Sequence, residues 1–191
     1  MTPVVDSLQL HPDRLLPTEP GVRAIARRLY DAVRELPIIS PHGHVNPRLL
    51  LDNEPFPDPA TLFVTPDHYV TRLLHAAGVG LDALGVGRGP LPEAQARQVW
   101  RLLCAHWEVY RGTPVRYWLE AELADIFDVA LVPSAETADT IYDQIAERLA
   151  TDAYRPRALF ERFKISVLAT TDDPCDDLSA HAALAADPSW A

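Results

Sequence analysis

Lysine is almost missing from this 191-residue chain: Lys164 is the only one, and arginine supplies the other basic side chains. With Lys+Arg at 17 against Asp+Glu at 27, the formal net charge is -10. That weighs against a nucleic-acid partner, because phosphate binding needs a basic surface. The arginine bias leaves an acidic small molecule open, since a guanidinium grips a carboxylate through two parallel hydrogen bonds. Coding bias in a GC-rich genome accounts for it equally well. Cysteine is scarce too. Cys104 and Cys175 stand far apart in no paired motif, which excludes a disulfide framework, and Cys104 lies in a helical apolar pattern as a packing residue does. No apolar run is long enough to span a bilayer. The opening "MTPVVDSLQLHPDRLLP" lacks the basic start and apolar core of a signal peptide. The expected compartment is the cytoplasm, with no membrane partner. Glycines cluster at 78, 80, 85, 87 and 89, but no strand precedes them and no Gly-Lys-Ser/Thr follows, so they are not a phosphate loop.

What is present is a hydrophobic fraction of 48%, that of a globular protein with a real core. Residues 1–17 read as extended. The periodicity predicts a helix capped by Thr18, with Val22, Ile25, Leu29, Val33 and Leu36 on one face. "PIIS" then reads as a short buried strand, and "PHGHVNP" leaves it as a loop. A polar, proline-rich segment, "RLLLDNEPFPDPATLFV", follows. "TPDHYVTRLLHAAG" reads as a helix with Thr65 as cap, Pro66 in its first turn and Gly78 as its stop. Further helices are expected over "PEAQARQVWRLLCAHWEVYRG", "PVRYWLEAELADIFDV", "SAETADTIYDQIAERLA" (capped by Ser134) and "RPRALFERF". "KISVLATT", 164–171, is the second strand, and a helix starts in "CDDLSAHAALAAD". The expected division is 1–47 for an arm, a helix and the first strand, 48–163 for a mostly helical insertion, and 164–191 for the second strand and its helix.

Each strand carries polar chemistry at its C-terminal end. His42 and His44 flank Gly43, and residues two apart on a strand point to one side. Two convergent imidazoles suit zinc or a similar divalent ion, and strand C-termini are where α/β proteins build sites. The plainer account is two loop histidines with no shared task, and two ligands are fewer than a catalytic metal needs. "TTDDP" faces the same pocket if the strands are neighbours; otherwise Asp173 or Asp176 merely caps the next helix. Asp67, His68 and Tyr69 put an acid, an imidazole and a phenol at a helix start, where Asp67 also suits the helix dipole. His106 reads as a satisfied, partly buried histidine, and His11 and His181 as surface residues.

In that order, "PIISPHGHVNP", "DHYVTRLLHAAG", "GTPVRYWLEAEL" and "VLATTDDPCDDLSAHAALAAD" resemble the N-terminal part of the uronate (glucuronate) isomerases of the amidohydrolase superfamily. The resemblance runs from about Gly21 to the end. It implies an α/β fold, the first part of a distorted (β/α)8 barrel with a helical insertion between its first two strands. It implies one divalent metal, expected to be zinc, held by His42 and His44. It places His68 and Tyr69 among the catalytic residues, with Arg72 a candidate for binding the substrate carboxylate. The implied reaction interconverts D-glucuronate with D-fructuronate and D-galacturonate with D-tagaturonate, moving a proton between C2 and C1. The implied partners are a small uronate and, at full length, further copies of the same subunit. Many members carry an acidic residue two before the first histidine, where this chain has Ser40. The family's remaining strands and its metal-binding aspartate have no counterpart here, so an inactive, self-associating N-terminal fragment is expected. Another metal-dependent hydrolase of the superfamily and an inactive helical interaction module are the alternatives.

Overall fold

The computed structural model describes residues 7–190. In chain order its elements are α1 (Pro20–Val33), β1 (Ile38–Ser40), α2 (Pro47–Asp52), α3 (Pro59–Phe63), α4 (His68–Ala76), α5 (Glu93–Ala105), α6 (Pro114–Ala121), α7 (Ala138–Leu149), α8 (Pro156–Arg162), β2 (Ile165–Leu168) and α9 (Ser179–Ala186). It is a mixture of helices with a small parallel sheet.

Proline sets where many of the helices begin. α1, α2, α3, α6 and α8 all open on it, because its ring presets the helical φ and its missing N–H is one the first turn leaves unpaired anyway. The preceding side chain then caps the turn. Glu19, rather than the expected Thr18, accepts from the N–H groups of Gly21 and Val22. Asn46 accepts from Arg48 N–H, and Asp58 from Thr61 N–H. These Asn-Pro and Asp-Pro steps nucleate α2 and α3 at the start of, and within, the segment read as polar and proline-rich. α4 is capped by Asp67, not Thr65: its Oδ1 accepts from Tyr69 N–H at 2.7 Å. Ser134 binds the N–H groups of Glu136 and Thr137 one turn early, so α7 starts at Ala138. The helix expected over "PVRYWLEAELADIFDV" stops being α-helical at Ala121 and widens into a π turn, Glu122–Ile126.

The described residues form two compact units. One comprises residues 7–14 and 56–150. It holds α3 to α7 and nearly all of the core, including Leu74, Trp100, Leu103, Trp107, Tyr110 and Ile141. Burying each such side chain is worth about 1.5–3 kcal/mol. Two of the buried aromatic donors are paired: Trp100 Nε1 donates to the Ala138 carbonyl at 2.9 Å and Tyr110 Oη to the Val70 carbonyl at 3.0 Å, while Trp107 Nε1 has no partner among the described residues. Arg97 and Arg101 on α5 hold Asp143 and Asp139 on α7.

The other unit comprises residues 15–55 and 151–190, with α1, β1, α2, α8, β2 and α9. β1 and β2 pair in parallel, Ile38 with Ile165, Ile39 with Val167 and Ser40 with Leu168. An irregularity after Ile38 accommodates Ser166, whose hydroxyl donates to the Ile38 carbonyl. The first strand was expected to be buried; instead Ile39 is 68% exposed, and Val167 of the second strand is 50% exposed. Two strands make a sheet too narrow to carry a covering layer on either face. α1 buries none of its residues. α2 and α8 belong with the strands, tied by Arg157, whose side chain is 16% exposed. Its guanidinium donates to the carbonyls of Leu50 and Leu51 and to the Asp187 carboxylate, and its backbone N–H to Asn53 Oδ1. Among the described residues no helix is long and apolar enough to cross a membrane.

Replacing Arg157 by lysine removes the fork that reaches these acceptors together. Arg157→Lys is expected to destabilise this unit by about 2–4 kcal/mol, read as lost amide-exchange protection in α2 and α8 with α5 and α7 unchanged.

Candidate functional site

Because β1 and β2 run parallel, the loops that follow them leave the same end of the sheet. The first loop carries His42, Gly43 and His44. A Cβ on residue 43 would sit 3.0 Å from the Ala169 carbonyl oxygen, so glycine is what lets the loop lie against the end of β2. Thr171 of the second loop donates its hydroxyl to the Gly43 carbonyl at 2.9 Å and lies 3.4 Å from His42 Nδ1. Ser40 contributes a bond from its hydroxyl to the His42 carbonyl.

The two imidazoles converge. His42 Nε2 and His44 Nε2 are 3.1 Å apart, with ring centroids at 4.8 Å and planes at 87°. One proton shared between two ring nitrogens accounts for this spacing. So does a shared cation: two nitrogens each about 2.1 Å from one ion and this far apart subtend about 95° there, within reach of ordinary coordination geometry. The pair therefore fits a divalent metal as two of its ligands. Among the described residues no group of three or more His, Cys, Asp or Glu stands ready to hold an ion.

A cleft of about 370 Å³ opens beside the pair, lined among others by His44, Asn46, Arg48, Thr171, Asp172 and Asp173. The two loops thus share one surface, as the spacing of their motifs allowed. The capping role considered for Asp173 and Asp176 is not what they do. Asp173 accepts from Cys175 N–H, Asp176 from Leu178 N–H and Asp177 from Ser179 N–H. These successive turns delay the helix to Ser179, behind a left-handed Leu178. His181, expected at the surface, lies 2.8 Å from the Thr170 hydroxyl and 3.7 Å from the Asp172 carboxylate. Its involvement had no sequence signal beyond its position one turn into the helix after TTDDP. Asn46 and Arg48 were passed over because they follow the histidine pair where the loop gives way to a polar, proline-rich segment.

A second cluster lies in the other compact unit, at the start of α4. Asp67 caps the helix, and the same turn exposes His68 and Tyr69, whose ring centroids are 4.2 Å apart. Arg72, one turn on, sets its guanidinium carbon 4.8 Å from the Tyr69 ring centroid. Trp118 on α6 meets the same ring edge to face at 5.9 Å. Beyond it, burial, with the Asp67 charge adding to it, pushes the Glu122 carboxyl up to about 7. His75 and His106 of this unit are structural. His75 Nδ1 is 3.0 Å from the Val79 carbonyl and His106 Nδ1 is 2.9 Å from that of Leu102. Burial pushes the Cys104 thiol up to about 12, which leaves it an inert packing group.

The sequence model of the glucuronate isomerase family matches residues 21–190. The uronate isomerase of Cutibacterium acnes is 53% identical over 184 residues, covering 96% of this chain and 39% of that protein. That of Corynebacterium efficiens is 51% identical over 183 residues, covering 94% and 38%. Among solved structures, glucuronate isomerase from Caulobacter crescentus superposes with a TM-score of 0.90 at 44% identity, over 95% of this chain and 38% of that one. Uronate isomerase from Thermotoga maritima gives 0.81 at 28% identity, over 93% and 37%. The chain thus spans less than two-fifths of the length of these relatives.

Glu122 gives this region a pH signature. A carboxyl held above its ordinary value favours the folded state at low pH. That contribution is complete below about 4.5 and is lost as pH rises through about 7. Glu122→Gln is therefore expected to leave stability unchanged at pH 4.5 and to raise it by about 2–3 kcal/mol at pH 8, measured by urea unfolding at both values.

Proposed function

This chain belongs to the glucuronate isomerase family, and from that premise we propose that it is the N-terminal part of a metal-dependent uronate isomerase. The complete enzyme interconverts D-glucuronate with D-fructuronate and D-galacturonate with D-tagaturonate. In this reading β1 and β2 are the first two strands of a distorted (β/α)8 barrel. Residues 1–47 supply an arm, a helix and the first strand, 48–163 a helical insertion, and 164–191 the second strand and its helix. The exposed apolar face supports this. Leu29, Ile39 and Val167 all stand at least half exposed, as barrel residues do when the elements that cover them lie in another part of a polypeptide. The whole enzyme is proposed to be a cytoplasmic homo-oligomer.

The observation that carries the reading is the 3.1 Å approach of His42 Nε2 to His44 Nε2 at the C-terminal end of a parallel strand pair. His42 and His44 are assigned as ligands of one divalent ion, zinc being the best match to imidazole donors. When bound, such an ion polarises an oxygen of the open-chain sugar and eases its deprotonation. Thr171, the nearest polar neighbour of His42 Nδ1, limits rotation of that ring. His68 and Tyr69 are assigned to proton transfer. A base takes the proton from C2 and returns it at C1, through an enediol-like intermediate, while the phenol hydroxyl serves the sugar oxygens. Arg72 is assigned to the substrate carboxylate, which a guanidinium binds through two bonds. No carbon–carbon bond breaks, and the sugar keeps its oxidation level overall.

Full-length protein carrying this chain, incubated with D-glucuronate and a divalent metal, is expected to form a ketose. Hydrolysis of amides or lactones without ketose formation would overturn the assignment. His42→Ala and His44→Ala are each expected to lower kcat/KM more than about 100-fold and to lose bound metal on dialysis, measured by elemental analysis. Retention of metal by both variants excludes the pair as ligands.

A further inference from the structure

Tyr69 sits in the first turn of α4 and is 41% exposed. A phenol on an open helix surface rotates among rotamers, so its hydroxyl has no fixed direction unless other groups set one. His68, Arg72 and Trp118 lie against the ring. His68 and Arg72 ride on the same helix. Among the described residues, Trp118 is the ring that reaches Tyr69 from a different element, α6.

Trp118 is unusual in its own right. It is 49% exposed, whereas tryptophan is on average highly buried. Its seat is firm. Val115 and Leu119 of α6 are buried, Thr113 caps the helix, and Arg116 donates to the Trp107 carbonyl at 2.9 Å while lying over the Trp107 ring. In the π turn that follows α6, burial first and then the charge of Asp67 raise the carboxyl of the partly buried Glu122, and Asp67 accepts from the Tyr69 N–H.

We propose that Trp118 is a positioning residue for Tyr69: its indole meets the phenol edge to face and fixes the direction in which the Tyr69 hydroxyl points. This rests on the reading of Tyr69 as a catalytic group of a uronate isomerase. The indole does not touch the reacting atoms in this account. It acts through the plane of the neighbouring ring, as supports for catalytic groups do.

The test uses full-length protein with Trp118→Ala, Trp118→Leu and Trp118→Phe. Removing the ring is expected to lower kcat by about 10–100-fold, as misplacement of a reacting group does, with KM within about twofold. Trp118→Phe, which keeps an aromatic edge, restores most of kcat, and Trp118→Leu, which keeps bulk alone, does not. In the 191-residue chain, the ring resonances of selectively labelled Tyr69 shift in the Ala and Leu variants and hold near wild type in Phe. Unchanged kcat and unchanged Tyr69 resonances in Trp118→Ala overturn the proposal. An equal loss in all three variants with a lowered melting temperature also overturns it, since that marks a packing role. Should wild-type protein make no ketose, the isomerase reading fails by itself, and the Tyr69 resonances alone decide whether Trp118 orients the ring.

Discussion

The parallel pairing of β1 with β2 is the constraint on which the histidine site depends. Ile38 N–H donates to the Lys164 carbonyl at 2.8 Å and Ala169 N–H to the Ser40 carbonyl at 2.9 Å, closing the ladder at both ends. These bonds join segments separated by the whole of the α3–α7 unit. Loop-closure entropy grows only with the logarithm of the loop, and here the intervening chain is itself folded, which shortens the effective loop further. Parallel direction matters as much as pairing. An antiparallel pair would send the two loops to opposite ends of the sheet. The parallel one sets Gly43 against Ala169 and Thr171 beside His42, and so fixes the backbone from which both imidazoles project.

The two units are held by different physics. In one, large apolar side chains and two paired aromatic donors make an ordinary core. In the other, few side chains are buried, and Arg157 substitutes for a core by collecting carbonyls and a carboxylate around one planar cation. Asp187 reports that contact: bonds from Ser189 and Arg157 hold its carboxyl down to about 2. Charge-assisted bonds of this kind are individually stronger than neutral ones, but they are directional and leave α1 uncovered. The apolar stripe of α1, with Ile25 and Leu29 at the helical spacing, is intact and unburied. That accords with the proposal that further barrel elements lie beyond these residues.

Most of the long helices were legible because their apolar periodicity is strong, and both strands because short β-branched runs sit between breakers. What was not legible had weak or competing signals. α2 and α3 are too short for a period to show, and only the cap-proline steps at Asn46 and Asp58 mark them. The caps Thr18 and Thr65 lost to Glu19 and Asp67, acids nearer the true first turn. Strand exposure cannot be read from composition, since Ile38, Ile39 and Val167 are what a buried strand would carry. For the site, the two-residue spacing of His42 and His44 offered convergence of their rings only beside the plainer account of two unrelated loop histidines, and TTDDP was joined to them on the condition that the strands are neighbours, which the parallel pairing meets. His181 and Trp118 were missed because each lies in a helical pattern that gives no sign of what is packed beside it.

The stretch from Trp118 to Ile126 breaks local folding rules more than once. It exposes a tryptophan, half-buries a carboxyl whose burial pushes it up to about 7, and replaces α geometry with a π turn. The Phe127 N–H bonds back to the Glu122 carbonyl, five residues away, and Leu123 and Phe127 are still delivered to the core. Natural sequences are locally consistent except where something other than stability is selected, and π turns concentrate at functional positions. Here the departures fall together beside the turn that carries Asp67, His68 and Tyr69. Stability alone does not explain that coincidence, and it is what the proposed support of the Tyr69 turn from a neighbouring helix predicts.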